Sequence, residues 1–103
     1  MGTIQINTHF NGSKIQVSPG DIIEITLDET PVTGYKWEIT NADPLMVELA
    51  EDNFTIQPLN AIGGGGIRLF RFKVIASGQS ILRLSNIQPW GKDVYQTFEL
   101  TLN

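Results

Sequence analysis

Apolar and polar residues alternate with a period of two over most of the chain. The alternation is clearest in Phe70, Phe72 and Val74, separated by Arg71 and Lys73, and in Phe98, Leu100 and Leu102, separated by Glu99 and Thr101. In an extended backbone successive side chains point to opposite faces, so each stretch predicts a strand with one face in a core and one in solvent. Shorter runs of the same kind are Ile4 and Ile6; Ile23, Ile25 and Leu27; Trp37 and Ile39; Phe54 and Ile56; and Leu82 and Leu84. Helical spacing is nearly absent, which leaves seven core strands.

Turn formers punctuate these runs. The first segment, residues 3–17, is interrupted at Asn11-Gly12, which makes it one broken strand or two short pieces, and further breaks fall at Ser18-Pro19-Gly20, within residues 41–52 around Asp43-Pro44, and at Ala76-Ser77-Gly78. Residues 44–48 are the one candidate for a helical turn. Seven or eight short strands in 103 residues predict an all-β fold, an immunoglobulin-like two-sheet antiparallel β-sandwich rather than a closed barrel. The length suits a single domain spanning residues 1–103.

Composition narrows the chemistry. A hydrophobic fraction of 41% supplies a core, and the absence of cysteine excludes disulfides and thiolate-held metal while leaving the redox compartment open. The N-terminal Met1-Gly2-Thr3-Ile4-Gln5 lacks a basic-then-apolar leader. As it stands the sequence reads as cytoplasmic, or as lysosomal or secreted if a leader has been removed. A net charge of −4 with scattered Lys and Arg opposes nucleic-acid binding, and no apolar run approaches membrane-spanning length. Neither nucleic acid nor membrane is an expected partner, and the free chain is expected to be a monomer.

In a sandwich of successive antiparallel strands, alternate connections emerge at the same end. Those after the second, fourth and sixth predicted strands cover residues 28–35, 59–66 and 86–93, and they hold the unusual residues. The first reads Thr30-Pro31-Val32-Thr33-Gly34-Tyr35-Lys36-Trp37, with Pro31 fixing its own φ and Gly34 free to take positive φ. Trp37 is expected in the core. The second contains Gly63-Gly64-Gly65-Gly66 and runs into a strand, not a helix, without the Lys and Ser or Thr of a phosphate-binding loop. It is either a flexible connector or a backbone bare enough to lie against a partner. The third presents Gln88-Pro89-Trp90-Gly91, which places a tryptophan outside any alternating strand pattern.

Catalytic inventory is poor. His9 is the sole histidine, and the acidic pairs Asp28-Glu29 and Glu51-Asp52 read as solvated loop charges rather than a metal or acid–base constellation. No enzyme activity and no cofactor are expected. A binding module remains, either for a protein or, as the alternative, an adhesion or carbohydrate-binding sandwich that stacks sugars on Tyr35, Trp37 and Trp90.

Together, Pro31-Val32-Thr33-Gly34-Tyr35-Lys36-Trp37, the glycine run and Pro89-Trp90 resemble, in order and spacing, the chagasin family of cysteine peptidase inhibitors. That family is marked by an Asn-Pro-Thr-Thr-Gly-aromatic loop, a Gly-rich loop and an Arg-Pro-Trp loop. The sequence departs from it at Thr30 in place of Asn, Val32 in place of the first Thr and Gln88 in place of Arg. The resemblance implies a reversible inhibitor of papain-like, cathepsin L- or B-type cysteine peptidases whose three loops form a wedge in the active-site cleft. The residues it implies for peptidase binding are Thr30, Pro31, Val32, Thr33, Gly34 and Tyr35, then Ile62, Gly63, Gly64, Gly65 and Gly66, then Gln88, Pro89 and Trp90.

Overall fold

A computed structural model of the chain describes residues 2–56, 65–91 and 93–103. Among them are eight strands: β1 (Thr3–Ile6), β2 (Lys14–Ile15), β3 (Ile22–Glu29), β4 (Lys36–Asn41), β5 (Val47–Ile56), β6 (Gly66–Val74), β7 (Ser80–Ile87) and β8 (Val94–Leu102). They form two four-stranded sheets, ordered β1-β3-β6-β5 and β2-β8-β7-β4. The alternation read from the sequence supplies the facing surfaces. Ile23, Ile25, Leu27, Phe70, Phe72 and Val74 of one sheet are buried, as are Trp37, Leu82, Leu84, Phe98, Leu100 and Leu102 of the other. Each large side chain removed from water in this way contributes about 1.5–3 kcal/mol.

The central pairings are antiparallel, whereas the edge pairings β1–β3 and β2–β8 are parallel. The first segment accounts for the difference, since it is two short strands, as one reading of its break allows, and the two lie in different sheets. After Ile6 the chain leaves the first sheet through a 3-10 turn at Thr8–Phe10, where the Asn7 side chain accepts from the His9 N–H at 2.9 Å, and it joins the second sheet as β2. Asn11 and Gly12 are the central residues of a turn, as expected, closed by Ser13 N donating to Phe10 O at 2.9 Å, and this turn docks on β8. Asn11 Oδ1 accepts from Glu99 N at 2.9 Å, and Gly12 N donates to Glu99 O at 2.7 Å.

Residues 44–48 do not form a helix. Asp43 ties a tight turn, accepting from Leu45 N on its side chain at 2.9 Å and from Met46 N on its carbonyl at 3.0 Å, and β5 starts at Val47. Much of the expected turn region 41–52 is therefore strand. A register shift between Leu49 and Glu51 hides it from a period-two reading. Before the shift Val47 and Leu49 lie opposite Val74 and Phe72; after it Asp52 and Phe54 lie opposite Phe70 and Arg68, so the inward phase moves from odd to even positions.

The three long connections share one end, as expected. Glu29 at the end of β3 pairs with Gly66, which also pairs with Ile56, while Ile87 pairs with both Lys36 and Val94. The β3–β4 connection passes from one sheet to the other, and the β5–β6 and β7–β8 connections close a hairpin within each sheet. The bridging loop thus leaves from the end where the last residues of both hairpins pair.

Candidate functional site

The bridging loop is stiff without a disulfide. Pro31–Thr33 forms a single 3-10 turn whose first residue has its φ preset by the proline ring, and Gly34 ends it at φ 84°, a left-handed conformation that favours glycine. Thr33 N and Gly34 N donate to Thr30 O and Pro31 O at 3.1 and 2.9 Å. The Thr33 hydroxyl is occupied within the loop, donating to Thr30 O at 2.7 Å and accepting from Tyr35 N at 3.3 Å. Val32 has no such duty. It is 75% exposed and forms the apolar tip.

The β7–β8 connection folds over this loop. Gly91 N donates to Gln88 O at 3.1 Å, which closes a turn with Pro89 at its second position, and Gln88 N donates to Asp93 O at 3.1 Å. Trp90 is 75% exposed, yet one edge of its indole rests on Gly34, where a Cβ would meet the ring at 2.8 Å. Gly34 is therefore required twice, for its φ and for the close approach of Trp90. Exposed Trp90 and Val32 stand on neighbouring turns that brace one another.

Beneath them lies a buried ion pair that sequence reasoning placed wrongly. Glu29, read as a solvated loop charge, is only 3% exposed. Arg68 Nη2 and Nε donate to its two oxygens at 2.8 and 3.1 Å, and Trp37 N donates to Glu29 Oε1 at 2.7 Å. Asp52 is exposed, as read, and accepts from Arg68 Nη1 at 3.1 Å, and the guanidinium lies 5.6 Å from the centre of the Phe54 ring. Hydrogen bonds and charge from Glu29, then from Asp52, push the Arg68 guanidinium further toward its charged form. Glu51 is paired as well, to Arg71, which also binds Glu24 on the outer face. The signal that could have found Glu29 and Arg68 was phase: Glu29 continues the inward series Ile23, Ile25, Leu27, and Arg68 begins the inward series Phe70, Phe72, Val74.

Trp37 is 2% exposed, and its Nε1 donates to Asp28 O at 2.8 Å, so the expected core placement holds. A sugar-stacking platform made of Tyr35, Trp37 and Trp90 is thereby lost. Tyr35 instead packs against Tyr95, a residue the sequence reading did not single out, with ring centres 5.6 Å apart. In the glycine run, Gly66 lies buried in β6, where a Cβ would strike Thr55 O, so its missing side chain serves the strand pairing. Gly65 precedes the strand, and Ile62, Gly63 and Gly64 lie outside the described residues. His9 sits in the crossover between the sheets and not in the three loops. Among the described residues no group of His, Asp and Glu could hold a metal ion.

A sequence profile described as Chagasin family peptidase inhibitor I42 matches residues 16–102, which include all three loops. The chain belongs to the chagasin family of peptidase inhibitors. Chagasin from Trypanosoma cruzi is 30% identical over 84 residues, 78% of this chain and 76% of the relative. Among solved structures, the cysteine protease inhibitor from Entamoeba histolytica superposes with a TM-score of 0.88 at 23% identity, covering 98% of this chain and 94% of its own. PbICP-C, solved in complex with falcipain-2, gives a TM-score of 0.69 at 15% identity over 98% and 89% of the two chains. As a member of the chagasin family the protein is a cysteine peptidase inhibitor and not an enzyme.

Proposed function

We propose that the protein inhibits papain-like cysteine peptidases reversibly by seating its bridging loop at the catalytic thiolate, with the two hairpin loops gripping either wall of the cleft. The observation that carries this reading is the pairing of exposed apolar tips with rigid supports: Val32 and Trp90 are each 75% exposed on turns closed by hydrogen bonds and by the Gly34–Trp90 contact. Residues held in their bound conformation lose little entropy on association, and a fixed aromatic anchor is the kind of side chain that dominates interface energy.

Inhibition of this kind needs no catalytic group. A papain-like site acts when a substrate carbonyl meets a low-pKa thiolate in attack geometry, and a rigid loop in another register withholds that carbonyl. Val32 fills apolar space near the thiolate, while Thr33, its hydroxyl engaged by Thr30 and Tyr35, keeps the loop in shape. The bare backbone of Gly63, Gly64 and Gly65 lies along the substrate strand and exchanges main-chain hydrogen bonds as a peptide would. Gln88, where the family typically has Arg, gives a weaker polar contact beside Trp90.

The test is competition for the cleft. Papain whose thiol has been alkylated by a bulky reagent that fills the cleft is expected to lose binding to the inhibitor, whereas papain with its catalytic cysteine changed to alanine keeps it. Equal binding to the blocked and open enzymes overturns the cleft-blocking reading.

A further inference from the structure

The open end of the sandwich carries a second feature beside the tip of the wedge. β1 ends opposite Ile25 and β2 reaches β8 only at Thr101 and Leu102, so the Asp28 end of β3 and the Tyr95 end of β8 have no outer strand. Between them lies a cavity of about 500 Å³ lined by Asp28, Thr33, Tyr35, Asn86, Tyr95 and Gln96, with Thr30 at its rim. Asp28 is the one charged residue of this lining, and it forms no ion pair among the described residues.

Asn86 is the anomaly. It is 5% exposed in the inward phase of β7, opposite Trp37, and its Oδ1 is fully covered without a hydrogen-bond donor. A buried carbonyl without a donor costs free energy, and such groups are rare in folded proteins. The last torsion of an asparagine is broad and nearly two-fold, so a ligand that pairs with this oxygen draws it to the cavity side by a half-turn that leaves the amide NH2 in its place. There it joins two tyrosine rings, tilted at 48° with centres 5.6 Å apart, and an acidic residue.

The geometry points to a recess that receives a basic side chain, lysine or arginine, from the rim of the bound peptidase. Aromatic walls attract a cation through the ring quadrupole, the Asn86 carbonyl, once turned to the cavity, accepts one of its N–H groups, and Asp28, exposed on the outer phase of β3 beside the cavity, adds negative charge near it. The recess adjoins the bridging loop through Thr30, Thr33 and Tyr35, so a peptidase seated on the wedge passes directly over it. It selects among peptidases by the charge beside their clefts. The peptidase as occupant rests on the inhibitory reading above, whereas the affinity of the recess for a cation does not.

The experiment titrates the isotopically labelled chain with n-propylguanidinium and, as a neutral control, n-butanol, following the Asn86 side-chain amide and the rings of Tyr35 and Tyr95 by NMR. Saturable shifts with the cation alone, lost in Asn86→Leu and in Tyr95→Ala, are expected; the second variant alters an exposed ring and so tests the recess even if the first fails to fold. No saturable shift, or shifts unchanged in Tyr95→Ala, overturns the recess. A second arm uses a peptidase inhibited by the unaltered chain and bearing a basic residue beside its cleft: Tyr95→Ala is expected to raise its inhibition constant about tenfold, and an unchanged constant overturns the peptidase as occupant while leaving the wedge intact. Cation binding by a chain that inhibits no papain-like enzyme supports the recess and contradicts the inhibitory reading alone.

Discussion

Glu29 and Arg68 meet between neighbouring strands of one sheet at the mouth of the sandwich, two hydrogen bonds of 2.8 and 3.1 Å joining the last residue of β3 to the third residue of β6. The same carboxylate accepts from Trp37 N at the start of β4, so one side chain ties together both ends of the bridging loop and the strand that follows the glycine run. Removing one partner of a buried ion pair strands the other's charge, which costs several kcal/mol, whereas replacing both with apolar groups costs much less. Glu29→Gln is expected to destabilise the fold by about 3 kcal/mol, roughly 15 °C in melting temperature for a domain of this size. Adding Arg68→Met should restore part of that loss, as a double-mutant cycle of denaturant midpoints would read.

Gly34→Ala places a methyl group against the Trp90 indole at a residue whose φ is 84°. The expected cost is about 1–2 kcal/mol in stability, together with displacement of Trp90. Fluorescence quenching by acrylamide checks the displacement, since in the unaltered chain it should act on exposed Trp90 and spare buried Trp37.

Val32 and Thr33 are adjacent but have different duties, and variants should separate them. Val32→Asp is expected to leave the melting temperature unchanged and to weaken inhibition by about thirtyfold or more, the scale of an interface hot spot. Thr33→Val removes the hydroxyl bonds to Thr30 O and Tyr35 N, so it should loosen the loop itself, costing about 1 kcal/mol of stability alongside a smaller loss of inhibition.

Asp21 accepts from Ser18 N at 2.8 Å and from Gly2 N at 3.2 Å, and the Ser18 bond above all holds its carboxyl below the usual carboxylate range. A folded-state pKa below the unfolded one gives stability that is present at neutral pH and is lost as pH falls through the folded value. Urea midpoints should therefore differ between the unaltered chain and Asp21→Asn at pH 7, and the gap should close between about pH 5 and pH 2.

Much of this was legible in the sequence because strand periodicity is a local property. Phe70, Phe72 and Val74 announce their strand alone, and Pro31 with Gly34 announces a closed turn whatever surrounds it. The losses came where the pattern depends on another part of the chain. β1 and β2 read as one broken strand or two short pieces, and nothing local says that residues 7–12 cross from one sheet to the other. The first half of β5 reads as a turn because its register shift reverses the inward phase after Leu49. Glu29 reads as solvated by residue type, although its phase with Leu27 points inward, because its partner lies 39 residues away. Tyr95 carried no signal, since its neighbour Tyr35 is 60 positions distant and the contact exists only once β4 and β8 are assembled.

The most direct measurement is the hydrolysis of a small fluorogenic peptide by papain and by a cathepsin L-like enzyme at increasing concentrations of the chain, alone and as Trp90→Ala with Gly65→Glu. Competitive inhibition at nanomolar concentration, lost in the double variant while its melting temperature is kept, is the predicted result. Full peptidase activity in the presence of micromolar chain, or equal inhibition by the double variant, would contradict the account.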